Sequence, residues 1–273
     1  NLGFLKKNSI NKKLQINKIS NFNINDKNID KTFGIADPFI YKDYIFCELI
    51  DNSLKGLKIN SPTGKNHKGG VIACAKIEEN LNFKVVLRNE KFHYSYPHIF
   101  EINNILYMMP ETHQSNQLQL YECTKFPYDW KLKKILIDNF CCCDSTYFKL
   151  DGIHYIFTQK YVQNNTKESK TYLYKTDDLL KSDLLIDKTD ILKNGYRGGG
   201  NIIKQDNKIY IPIQPNEIRF YGEKLYIYEI IKKNDKIKFN FQNEIIKPSN
   251  IVGCHHISNY NETFVIDYIK NIK

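Results

Sequence analysis

CDSTYFKLDGIHYIFTQK, residues 143–160, opens on a small polar cluster, runs through a short apolar stretch, turns at Asp151-Gly152 and returns as an aromatic-rich strand. The pattern recurs at 36–50 (ADPFIYKDYIFCELI), 95–112 (SYPHIFEINNILYMMPET), 198–215 (GGGNIIKQDNKIYIPIQP) and 253–270 (GCHHISNYNETFVIDYIK). Its turns include Lys42-Asp43, Asn103-Asn104 and Asp206-Asn207, rich in the residues that tolerate tight hairpins. The starts lie about 50 residues apart, the spacing of a radial β-repeat built from short strands. The reading is an all-β, five-bladed β-propeller over residues 32–273. A propeller gathers its blade starts around one axis. Asp37, Glu111, Asp144, Arg197 and His256 are therefore expected to face one pocket.

With 273 residues and 41% hydrophobic content, the chain can bury one large all-β core. Residues 1–31 are Asn, Lys, Ile and Ser with little periodicity, and are expected to be a linker or N-terminal extension, or an edge strand, leading out of an upstream domain. No apolar run approaches the ~20 residues of a spanning helix, so no transmembrane segment is expected. The sequence starts at Asn1 without a signal-peptide pattern. We therefore expect it to be a piece of a longer protein with additional domains.

The net charge of +10 has two readings: a Lys- and Asn-rich composition, or attraction to an anionic partner such as a sugar nucleotide, phospholipid head group or acidic glycan. The lysines are scattered through turns and no nucleic-acid-binding module is readable, so nucleic acid is not an expected partner. The seven cysteines are odd in number and include no CxxC pair. Neighbours in the run Cys141-Cys142-Cys143 would point to opposite faces of a strand. Buried, reduced thiols are the expectation, in a protein of the cytoplasm or at the inner membrane surface. Cys254-His255-His256 lacks a second ligand pair at metal spacing, so no metal is assigned, and the sequence specifies no cofactor.

Several polar residues stand at the blade starts. Arg197 precedes three glycines; its planar fork suits a carboxylate or phosphate, and the glycines permit close backbone approach. The alternative is a tight bulge with a structural Arg–Asp pair. His93 and His256 can serve as bases, bind sugar hydroxyls, or simply be hydrogen-bonded near a strand end. Gln214 and Tyr221 suit sugar hydroxyls or hydrogen bonds that close a blade. Tyr and Phe number 19 and 16, mostly for the core, and Trp130 is expected to fill a gap between blades.

The ordered series ADPF, KGG, HYSYP, MMPET, FPYDW, DSTYF, YRGGG, IQP with Tyr221-Gly222, and GCHHIS with Val265-Ile266-Asp267 resembles one family over about residues 33–268. It resembles the five-bladed propeller at the N-terminus of plant glucosamine inositolphosphorylceramide transferases. Bacterial relatives join it to formyltransferase-like or other sugar-modifying domains. The family in turn resembles the propeller of furanosidase-type glycoside hydrolases. That likeness implies Asp37 as general base and Asp144 as the second Asp that tunes the acid. The hydrolases take their acid, a Glu, from blade four, where this chain reads Tyr196-Arg197-Gly198-Gly199-Gly200-Asn201. Glu111 is then the carboxyl left to substitute. Both aspartates can alternatively be hydrogen-bonded to loop amides near the axis.

The resemblance implies a carbohydrate-active transferase domain. It would move a glycosyl or related group from a nucleotide-sugar or other phosphate-linked donor to a surface polysaccharide or glycolipid. The expected catalytic residues are Asp37, Glu111 and Asp144. Those expected to bind substrate are His93, Arg197, Gln214, Tyr221 and His256. Glycoside hydrolysis and non-catalytic glycan binding are the alternatives.

Overall fold

Strand neighbours point to opposite faces of a sheet, and here both faces of each central strand are apolar. Ile45, Cys47 and Leu49 pack on one side of Tyr44–Ile50 and Phe46 on the other. Tyr107 and Met109 part from Leu106 and Met108 in the same way. A sheet buried on both faces must be sandwiched between others, and the ring of blades satisfies this. Five apolar clusters fill the five seams between neighbouring blades. The expected all-β, five-bladed propeller is the observed fold.

The computed structural model describes residues 2–6, 18–19, 21–24, 34–50, 59–60, 66–67, 69–162, 168–216, 219–220 and 222–270. Blade one is Ile35–Tyr41, Tyr44–Ile50, Gly70–Lys76 and Asn80–Leu87, with Asn21–Ile24 alongside in parallel. Blade two is Ser95–Ile102, Ile105–Glu111, Gln117–Lys125 and Asp129–Asp138. Blade three is Cys142–Leu150, Ile153–Lys160, Thr171–Thr176 and Leu185–Thr189. Blade four has an interrupted inner strand, Arg197–Gly198 then Ile203–Gln205, followed by Lys208–Gln214, Tyr226–Lys233 and Lys236–Glu244.

Blade five is composite. Its inner strands are Ile257–Tyr260 and Thr263–Asp267; its outer strands are Leu2–Lys6 and Lys18–Ile19. Within the segment expected to be a linker, an extension or an edge strand, the described residues 2–6 and 18–19 are thus strands of blade five, and 21–24 run beside blade one. Leu2 and Phe4 enter the seam with blade one, and Leu5 the seam with blade four. The two ends of the described chain thus close the ring together.

The leucine-rich segment after Thr176 forms one helical turn, with Ser182 N–H donating to the Asp178 carbonyl and Asp178 Oδ1 accepting from the Leu180 amide. Leu179, Leu180 and Leu184 pack into the seam between blades two and three, and strand resumes at Leu185. Trp130 packs against Phe46 between blades one and two, edge to face at 5.8 Å. The polar, Gly- and Pro-punctuated sequence Asp51–Gly70 reads as a loop at a propeller face, and lies mainly outside the described residues.

Ring closure by Leu2–Lys6 makes a stability prediction. Phe4→Ala should cost about 3–5 kcal/mol in urea denaturation, the range for removing a buried aromatic side chain. Leu185→Ala, at a residue 64% exposed, should stay within about 0.5 kcal/mol. Equal effects would contradict closure through the N-terminal strand.

Candidate functional site

The innermost strands of blades one to three carry the same irregularity. Ala36 pairs with Glu48 and Phe39 with Phe46, leaving one extra residue between. Ser95/His98 and Cys143/Thr146 repeat this offset against their partner strands. These are β-bulges, which bend a strand and re-aim a side chain. The first residue of each is in the left-handed region: Asp37 at φ 50°, Tyr96 at 45° and Asp144 at 43°. Such backbone is uncommon outside glycine, and persists only where its surroundings hold it.

Blade four makes the corresponding approach with glycines. A Cβ on Gly198 would lie 2.2 Å from the Asp144 carbonyl oxygen, and one on Gly200 would lie 1.7 Å from that of Ile257. The glycines therefore admit neighbouring blades, not a ligand, to the backbone. The Tyr96 hydroxyl sits in the same crowd, accepting from the Gly200 amide at 2.9 Å and contacting Thr146 Oγ1 at 2.9 Å.

Two charged constellations flank this point. In the first, His255 lies between two carboxylates. Its Nε2 is 3.3 Å from Asp37 Oδ1, and its Nδ1 is 3.1 Å from Asp267 Oδ2. Asp267 also accepts the backbone amides of Asp37, His255 and His256, at 3.2, 3.2 and 3.1 Å. In the second, Arg197 Nε is 3.1 Å from Asp144 Oδ2, to which Gln214 Nε2 also donates at 3.3 Å. Glu111 Oε2 accepts the Asp144 amide at 3.0 Å, and its Oε1 is 2.7 Å from His113 Nδ1.

These surroundings divide the carboxyls. Burial raises Asp37, but hydrogen bonds and attraction from His255 and His256 overcome it and hold the group below the usual range. Burial likewise works against Glu111, yet His113 above all holds it down to about 2. Asp144 goes the other way: burial, with Glu111 and Asp37 nearby, pushes it well up despite Arg197. Glu48 is also pushed well up, by burial and then by Asp37 and Glu111. His255 is raised to about 10; burial opposes its charge, but Asp267 and Asp37 outweigh that. Carboxyls driven apart in one cluster are the usual basis for dividing acid and base roles.

Residues 19–252 match the family model described as glucosamine inositolphosphorylceramide transferase 1, N-terminal. The chain belongs to this family. Glucosamine inositolphosphorylceramide transferase 1 of Oryza sativa subsp. indica is 26% identical over 213 residues, covering 72% of this chain and 26% of that protein. The protein of the same name from Arabidopsis thaliana is 30% identical over 128 residues, 45% of this chain and 15% of its own. The chain thus spans 26% of the rice relative's length. Among solved structures, the α-L-arabinofuranosidase from Lactobacillus brevis has a TM-score of 0.59 at 11% identity, covering 88% of this chain and 85% of its own. The β-1,2-mannobiose phosphorylase from Listeria innocua has a TM-score of 0.59 at 9% identity, with coverages of 88% and 90%. Likeness at such identity is one of fold.

Within this family propeller, the expected residues fare differently. Asp37, Asp144, Arg197 and Gln214 come together at the bulges. Glu111 joins them, but both its oxygens are engaged, and its ionised state unfits it as a substitute acid. His93 stands beside Glu48, its Nε2 3.4 Å from Oε1. His256 requires correction: it is 0% exposed, edge to face with Phe39 and Tyr96, so it supports Asp37 from below and presents no surface to a substrate. His255 takes the more open place. Tyr221 lies outside the described residues. Glu48, His255 and Asp267 are the residues that the sequence reading missed. The repeat itself held a signal: Glu48, Glu111, Gln159, Gln214 and Asp267 all stand near the end of the second strand of their blades.

Linkage gives a pH prediction. A group whose pKa is raised by folding contributes stability that is whole below its ordinary value and lost as pH rises through the folded one. For His255 the window runs from 6.5 to about 10. The raised Asp144 and Glu48 act with the same sign. Urea midpoints should fall across that window, and His255→Gln should flatten the fall. A wild-type midpoint constant from pH 7 to 10 would contradict the assignment.

Proposed function

We propose that this domain is a carbohydrate-active transferase module. It would take a glycosyl or related group from a phosphate-linked donor, such as a nucleotide sugar, to a glycan or glycolipid acceptor. The observation that carries the reading is the pairing of Asp37 with His255 and Asp144 with Arg197 on the inner-strand bulges of blades one and three of a propeller belonging to a transferase family. The acceptor hydroxyl oxygen would bond to the transferred carbon as the carbon–oxygen bond to phosphate breaks. The phosphate leaves as an anion with its electron pair, and the hydroxyl proton passes to Asp37. Because Asp37 binds protons weakly, it first orients the hydroxyl and takes the proton only as the new bond forms. Arg197 faces the developing phosphate charge, while Gln214, Asp144 and His93 hold sugar hydroxyls.

A phosphate leaving group needs no protonation, which suits an inner strand in blade four with Arg197 and glycines in place of an acid. The free cysteines suit a reducing, cytoplasmic setting. Hydrolysis keeps one specific support: Asp144 and Glu48, unlike Glu111, are pushed towards holding a proton.

Calorimetry of the chain against nucleotide sugars and polyprenyl-phosphate sugars tests the proposal. Binding should weaken with salt and fall by tenfold or more in Arg197→Ala, the scale of one charge-assisted contact. Aryl furanosides should release negligible aglycone. Rapid aryl furanoside hydrolysis would overturn transfer in favour of hydrolysis. Binding of finished glycan with no affinity for any donor would favour a binding module.

A further inference from the structure

We infer that Asp267 is a positioning residue: from the seam where the last blade meets the first, its carboxylate fixes both Asp37 and His255 in their working geometry. The inference rests on the proposed reading of that pair as part of the site.

Three backbone amides, from Asp37 in blade one and from His255 and His256 leading into blade five, converge on this one carboxylate. Hydrogen bonds to an ionised acceptor are the stronger kind. Here they hold the peptide that enters the left-handed Asp37. Asp267 also reaches the His255 ring at Nδ1, which leaves Nε2 directed at Asp37. A histidine whose one nitrogen is held by a carboxylate has its ring orientation set. Asp267 is itself 3% exposed and occupied on both oxygens, so it supports the reacting groups without touching substrate.

The device occurs twice. Glu111, at the end of the second strand of blade two, accepts the amide of Asp144 in blade three. In each case a carboxylate from one blade captures the bulge amide of the aspartate in the next. At Asp267 the next blade is the first, so the same contact spans the ring closure. The N-terminal strand secures it, since Leu2 pairs with Asp267.

The groups facing His255 are Asp37 and Asp267 directly, with Glu48 close enough to be influenced by its charge. The test is nuclear magnetic resonance on the isotopically labelled chain, which needs no substrate and therefore stands or falls apart from the transferase reading. In the wild type, the amides of Asp37, His255 and His256 should exchange with deuterium as slowly as the ladder amide of Ile45. The His255 ring should stay protonated up to about pH 10. In Asp267→Asn, those three amides should exchange about tenfold faster or more while Ile45 and Ile156 hold. The ring should titrate lower by about one pH unit or more, a tenfold loss in proton affinity. In Asp37→Asn the ring titration should move while the three amides stay protected. Fast exchange of the three amides in the wild type would overturn the inference even if Asp267→Asn fails to fold. So would uniform acceleration across all blades, or no change at all, in Asp267→Asn.

Discussion

The amide of Asp37 donates to a carboxylate 230 residues further along the chain. That contact ties the first blade to the last, and it acts at a residue in the left-handed region. A propeller ring gives each blade two apolar faces, which explains adhesion between blades but not their rotational register near the axis. Register comes from polar pins. Glu111 holds the Asp144 amide across the second seam, where His98 Nε2 also accepts the Tyr147 amide. Tyr96 reaches Gly200 across the axis, and the Asn201 side chain, donating to the Asn259 carbonyl and accepting its backbone N–H, joins blades four and five. Ser258 donates to the Pro38 carbonyl at the closing seam. Each pin satisfies polar groups that packing between the blades wholly or partly removes from water.

The same pins create the electrostatics. Bulges deliver two aspartates into a buried, carboxyl-rich centre, and the partner that each receives decides its state. Asp37 is given His255 and His256 and stays ionised; Asp144 is given one arginine but lies near two other carboxyls and is pushed up. Neither outcome is a property of aspartate. His255 in turn keeps its charge under burial because two carboxylates face it.

Much of this was legible in the sequence. The repeats declared the strands, their number and their radial arrangement, since a run such as YIFCELI that is apolar on both faces has to be covered twice. Asp37 and Asp144 stood out because they open repeats. Leu2–Lys6 did not, because a strand of five residues carries too little periodicity to be distinguished from the Asn- and Lys-rich segment after it, and its partner is at the far end of the chain. The glycines after Arg197 read as room for a ligand, but Asp144 and Ile257 of the neighbouring blades already use that room. Both adjacent histidines reach Asp37, and strand alternation could not indicate which of them is the more open, since both precede Ile257–Tyr260.

The central claim is that the bulge aspartates and their cationic partners form one site for an activated sugar at the axis of the ring. A crystal structure of the chain soaked with a nucleotide sugar tests it most directly. The account predicts a sugar ring within hydrogen-bond distance of Asp37 or Asp144, with the phosphates against Arg197. Ligand bound on the outer strands of the blades, with the bulge residues untouched, would contradict it.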